Sequence, residues 1–205
     1  MKISETTFFF LEKDCIEKLG SERGRAVFQK TEATYQSLLH QVDDRKNKAV
    51  REHLEQKLLP PLAFYRTLQS EGILQEKAFA LVREESRKAA EIKKDKMKGL
   101  AKMPFAYTIY RLSVKKYMRK NFPEEGWHTK WVSCNGKEIH FDLHRCLYWE
   151  VTNALGCPEL CSIYCENDDI SFSGLMPKIR FERTGTLGNG AQCCDFHFIN
   201  TKTGK

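Results

Sequence analysis

The residues of this 205-residue chain with the most chemistry to offer are its eight cysteines. Seven of them, at positions 134, 146, 157, 161, 165, 193 and 194, share one stretch with Asp168, Asp169, Arg183, Asp195 and His197. Cys157, Cys161 and Cys165 are spaced by four, so a helix would line them along one face. Three sulfurs on one face invite a metal, but structural zinc and iron–sulfur sites draw on cysteines two residues apart, and no Cys-x-x-Cys occurs here. Cys157 and Cys161 therefore read as small core residues. Cys165 differs because acidic residues follow it. Asp168 or Asp169 could orient a proton-carrying partner or hold a substrate amino group, with a polar helix end as the plain alternative.

Arg183 precedes the glycine-rich run Thr184-Gly-Thr-Leu-Gly-Asn-Gly190. That neighbourhood could capture a carboxylate through the guanidinium fork and free backbone N–H groups, although spacing alone favours a hairpin loop with a surface arginine. The run matches no Walker or dinucleotide fingerprint, since it joins strand to strand. Strand alternation sends Cys194, Phe196 and Phe198 to one face and Cys193, Asp195 and His197 to the other. His197 could serve a thiol as base, but a lone strand histidine reads first as a surface residue.

These groups need elements to hold them. From about Glu22 to Phe122 the pattern is helical. Val50, Leu54 and Leu58 make one stripe that should end before Pro60-Pro61, and a new helix with Leu62, Tyr65 and Leu68 should run to Gly72. A long amphipathic helix is expected from Gln75 to about Leu100. Another should run from Phe105 to about Lys120, with Phe105, Ile109, Leu112 and Met118 facing the core. After Gly126, Asn135-Gly136 between Trp131–Cys134 and Lys137–Leu143 signals a type I′ hairpin. A helix is then expected over Cys146–Leu155 with Gly156 as its cap, a short helical turn at Pro158, and strands over Lys178–Arg183 and Cys194–Ile199. The expectation is an α+β protein, with a helical region at 1–125 packed on a cysteine-rich region at 126–205 that carries a small antiparallel sheet, the two forming one compact unit.

Composition narrows the function classes. Hydrophobic residues make up 41% and charged residues 30%, as in a globular protein. The start has only four consecutive apolar residues before charges resume, and nothing later reaches the length of a membrane span, so a cytoplasmic protein with free thiols and no membrane partner is expected. The net charge of +7 is unevenly placed, +8 in residues 1–126 and −1 in the rest. Runs such as Lys93-Lys94-Asp95-Lys96-Met97-Lys98 read as solvated helix surface, and no nucleic-acid motif accompanies them, so nucleic acid is not expected as a partner.

Several segments then fall in a familiar order: Leu59-Pro-Pro-Leu-Ala-Phe-Tyr-Arg-Thr-Leu-Gln-Ser-Glu-Gly72, Gly126-Trp127, Cys146-Leu-Tyr148, Pro158-Glu-Leu160, Cys165-Glu-Asn-Asp168, and Arg183-Thr-Gly-Thr-Leu-Gly188 through Cys194-Asp-Phe196. From about Leu59 to Phe198 the chain resembles the L-2-amino-thiazoline-4-carboxylic acid hydrolase family. The resemblance implies a hydrolase that opens a cyclic amidine-like C=N bond of a small amino-acid-derived substrate, with no cofactor. It implies Cys165 and Cys194 as the two sulfur candidates, either one reacting and the other supporting it, Asp168 and Asp195 as acid/base or orienting groups, and Arg183, Cys146 and Thr186 as substrate-binding residues. Cys157, Cys161, Cys193 and His197 fall outside the pattern. The competing reading is a non-catalytic ligand- or metal-binding regulatory domain that uses Cys146, Cys165 and Cys194.

Overall fold

The computed structural model describes residues 1–203, and the chain divides into two compact units at Ala89/Ala90. The first unit is helical. A 3-10 turn at Ile3–Glu5 leads to α1 (Leu11–Leu19) and α2 (Ser21–Gln41), which meet at Gly20 with φ 85°. Their backbones approach so closely that a Cβ on Gly24 would sit 2.4 Å from the Cys15 carbonyl oxygen. Alanine would not fit there.

The helix expected to stop before Pro60 does not stop. α3 (Lys48–His53), a π turn at Leu54–Leu58 and α4 (Leu59–Ser70) follow one another without a break. Proline has no N–H to give the carbonyl four residues earlier, which for Pro60 is that of Gln56. Thr7 supplies the missing donors, its N–H at 3.2 Å and its hydroxyl at 2.6 Å from the Gln56 oxygen. The chain widens into the π turn, where the Leu59 N–H reaches back to Leu54 O. Every residue from Leu58 to Tyr65 is buried, and that packing holds the irregular helix together. α4 ends as expected, with Gly72 at φ 76° and the paired bonds Ile73 N–H to Leu68 O and Gly72 N–H to Gln69 O.

α5 (Gln75–Lys102) contributes its residues from Ala90 onward to the second unit, followed by α6 (Ala106–Asn121). Then come β1 (Trp127–Cys134), β2 (Glu138–Cys146), α7 (Leu147–Ala154), α8 (Leu160–Ser173), β3 (Ile179–Glu182) and β4 (Cys194–Asn200). The strands form one antiparallel sheet in the order β1-β2-β4-β3. The α+β class is as expected: helices first, then a small antiparallel sheet with helices on it.

Ile139, Phe141, Leu143, Cys194, Phe196 and Phe198 point to the buried face of the sheet. Phe172 of α8 packs there, with ring centroids 4.9 Å from Phe181 and 5.0 Å from Phe198. Gly174 at the end of α8 lets it meet α5, since a Cβ there would lie 2.3 Å from Lys94 O.

Three local expectations need correction. The Asn135-Gly136 hairpin forms, but neither residue has positive φ, so its turn is not type I′. The Asn135 side-chain oxygen instead accepts the N–H groups of Lys137 and Glu138 at 2.8 and 3.1 Å, an Asx turn that competes with the primed turn. The short turn at Pro158 is the entry to the 14-residue α8. Its polar residues do not break the helix, because hydroxyls such as that of Ser171 bond back to the preceding turn. On α6 only Met118 of the expected core residues is buried: Phe105, Ile109 and Leu112 are exposed, and Ala106, Tyr107 and Val114 join Met118 inside. Tyr107 can face inward because its hydroxyl donates to Asn135 O at 2.8 Å.

Candidate functional site

Cys165 and Cys161 stand one turn apart on α8 and face the loop between β3 and β4. That loop lies directly on them. A Cβ on Gly188 would be 2.9 Å from Cys161 Sγ and 3.3 Å from Cys165 Sγ, so only glycine allows this approach without displacement. The loop is shaped by Asp195, whose carboxylate accepts the N–H groups of Thr184 and Gly185 at 2.8 Å each and the Thr184 hydroxyl at 2.8 Å. Partial burial works against these bonds, yet together they hold the Asp195 carboxyl below the usual range. Thr186 then opens a 3-10 turn at Leu187–Asn189, accepting the Asn189 N–H with its hydroxyl oxygen.

The four inward thiols are treated very differently. The neighbouring Cys161 thiol, as a hydrogen-bonding partner, is the chief cause lowering the Cys165 pKa below the ordinary thiol value. Burial opposes it, while the Thr186 side chain and the positive charge of Arg183 reinforce it. Cys161 shifts the other way, upward, because the same partnership and its burial favour the protonated thiol. Burial pushes Cys194 up to about 11, although the Leu187 N–H at 3.2 Å from its sulfur partly offsets this. Cys146, at the junction of β2 and α7, is pushed up to about 12 by burial. One sulfur of the group is set up to carry negative charge.

Arg183 is not the surface arginine that spacing favours. Its side chain is only 6% exposed, between the rings of Phe181 and Phe196 at 5.7 and 5.5 Å. Nη2 donates to Cys165 O at 2.9 Å and to the Asp169 carboxylate at 2.7 Å. Asp168 lies 4.0 Å from Nη1 and pairs with Lys93 at 3.3 Å. Burial pushes the Asp169 carboxyl up against the pull of Arg183. Tyr148 and Tyr164, with rings 5.0 Å apart, are half-buried nearby, and desolvation pushes both up so that they stay neutral phenols.

Of the residues expected from the sequence, Cys165, Cys194, Cys146, Thr186, Arg183 and Asp168 gather on this side of the sheet. Asp195, on the outward side of β4, holds the covering loop through Thr184 and Gly185. His197 is on the opposite face, paired with Glu138 at 2.8 Å and stacked on His140 at 4.9 Å, and Cys193 shares that outward side. Cys161 is buried, as the core reading expected; its place beside the Cys165 sulfur is what that reading left out. Its spacing of four from Cys165 was the available signal. Among the described residues no three His, Cys, Asp or Glu side chains are grouped so that they could hold a metal ion.

Compared with known proteins, residues 51–198 match the model of the L-2-amino-thiazoline-4-carboxylic acid hydrolase family. No curated protein and no solved structure is matched. The matched span includes every residue placed at the site.

Proposed function

The chain belongs to the L-2-amino-thiazoline-4-carboxylic acid hydrolase family, and from that premise we propose that it hydrolyses a cyclic amidine-like C=N bond in a small amino-acid-derived substrate, with Cys165 as nucleophile. The observation that carries this reading is the place of the Cys165 sulfur, under Gly188 of the loop beside the Cys161 sulfur, with Arg183 donating to the Cys165 carbonyl oxygen at 2.9 Å; the Cys161 and Thr186 side chains and the charge of Arg183 lower its pKa. A Cys165 thiolate adds to the electrophilic C=N carbon while the ring nitrogen takes up a proton. The bond between that carbon and the ring nitrogen then breaks, the nitrogen taking a second proton and leaving as an amine, so the ring opens with the carbon still bonded to Cys165. Water adds to that carbon, the Cys165 sulfur leaves as the regenerated thiolate, and the two protons of the water replace the two taken up by the nitrogen.

Cys194 and Cys146, both raised by burial, stay protonated as supporting groups. Asp168 is the carboxylate for proton movement beside Arg183. Asp195 acts through the loop as a positioning residue. Asp169 is 54% exposed and now occupies the Arg183 fork; a substrate carboxylate replaces it there, which suits a bidentate guanidinium.

Incubating the protein with thiazoline carboxylates and other cyclic amidines, and following ring opening by mass spectrometry, tests the reading. Ring opening that is lost in Cys165→Ser supports it. A correctly folded protein that opens none of them contradicts it.

A further inference from the structure

Between Lys96 and Pro123 the sequence holds eight Lys or Arg and no Asp or Glu, and the proposed hydrolase chemistry uses none of these residues. α6 fills most of this stretch. With its inward face taken by Ala106, Tyr107, Val114 and Met118, spacings of three and four bring Phe105, Ile109, Leu112, Lys116 and Arg119 into one outward line. Phe105 is 79% exposed, Leu112 71% and Ile109 36%. Met103 adds an exposed side chain at the apolar end, while Lys116, Arg119 and Lys120 are exposed at the other. Phe105 also adopts the left-handed conformation, φ 56° and ψ 31°, which bulky residues seldom enter. Nothing within the fold is gained by it, since the ring points to solvent.

We infer that this face of α6 docks on an anionic lipid surface. Phe105, Ile109 and Leu112 enter the boundary of the acyl chains, and Lys116, Arg119 and Lys120 meet the headgroups. Charge complementarity makes the partner an anion, because the helix carries no acidic residue at all. The apolar half selects among anions: phosphate contacts would engage the basic residues but leave Ile109 and Leu112 in water. A second copy of the chain would set like charges against each other. The contact is peripheral, as no helix among the described residues is long and apolar enough to cross a membrane.

Sedimentation of the full chain with vesicles tests this. At about 0.1 M salt the protein should pellet with vesicles containing about one third phosphatidylserine and stay in solution with pure phosphatidylcholine, and about 1 M salt should release it. Phe105→Ser with Leu112→Ser, and separately Lys116→Glu with Arg119→Glu, should each lower partitioning by about tenfold or more. Circular dichroism and melting should be unchanged, because these side chains are exposed. Failure to pellet with the anionic vesicles overturns the inference. So does binding to an unrelated oligonucleotide that survives the apolar pair but not the charge pair, or a dimer that Phe105→Ser with Leu112→Ser dissociates. None of these readouts depends on hydrolase activity.

Discussion

Two helical cysteines, one in each unit, sit in ionic surroundings and are pushed in opposite directions. Cys15 on α1 is 2% exposed, with Asp14, Lys18, Glu85 and Lys88 around it. Lys88 pairs with Asp14 at 2.8 Å, and Lys18 and Lys88 both reach the Glu85 carboxylate. Burial, then the charges of Glu85 and Asp14, push the Cys15 thiol up to about 12. Cys165 is also partly buried beside acidic residues, yet it is lowered. The difference lies in the neighbours: the Cys161 and Thr186 side chains and the charge of Arg183 lower the Cys165 thiol, whereas the cations near Cys15 are committed to carboxylates. Hydrogen-bonding side chains beside a sulfur can offset what its burial costs the thiolate.

The largest effect expected from this contrast is on turnover. Cys165→Ser should lower the rate of ring opening by about a thousandfold or more with the fold intact, since an unactivated hydroxyl is a far poorer nucleophile. Cys15→Ser should leave turnover unchanged. Steady-state assays of the two variants side by side read this directly.

The charge cluster around Cys15 should matter to stability instead. The Glu85 side chain is 1% exposed and binds both Lys18 and Lys88. Glu85→Ala should therefore cost about 3 kcal/mol in denaturant unfolding, by leaving partly buried ammonium groups without their shared partner. Little loss of stability would show that the cluster is solvated and that the contrast with Cys165 has another origin.

Smaller changes act on the pKa itself. Removing the Cys161 donor in Cys161→Ala should raise the Cys165 pKa by about one unit, slowing alkylation near neutral pH by about tenfold. Cys161→Ser should recover part of it through its hydroxyl. The pH dependence has a definite sign: the Cys165 pKa is depressed on folding, so thiolate reactivity is present above it and lost as pH falls through it. Gly188→Ala should push the loop off both sulfurs and cost about 1–3 kcal/mol of stability. Its measurable signature is faster alkylation of Cys161, now uncovered.

Much of this arrangement was legible in the sequence because it follows simple periods. The alternation of β4 correctly separates Cys194, Phe196 and Phe198 from Asp195 and His197, and glycines 72 and 156 mark helix ends where only their φ fits. The π turn before Pro60 was not legible, since its stability rests on Thr7, some fifty residues away. Arg183 reads as a surface residue until Phe181, Phe196 and the Cys165 carbonyl close around it. Cys161 reads as core because its role depends on a loop folding over it. The exposed face of α6 was misread because leucine and isoleucine at helical spacing look like core whichever side the tyrosines take.

The most direct test of the central claim is the pH dependence of alkylation at Cys165 and Cys15, followed peptide by peptide with mass spectrometry on the native protein. The predicted result is a midpoint for Cys165 below the ordinary thiol range, with Cys15 unmodified throughout. A Cys165 midpoint at or above that of an ordinary thiol would contradict the account.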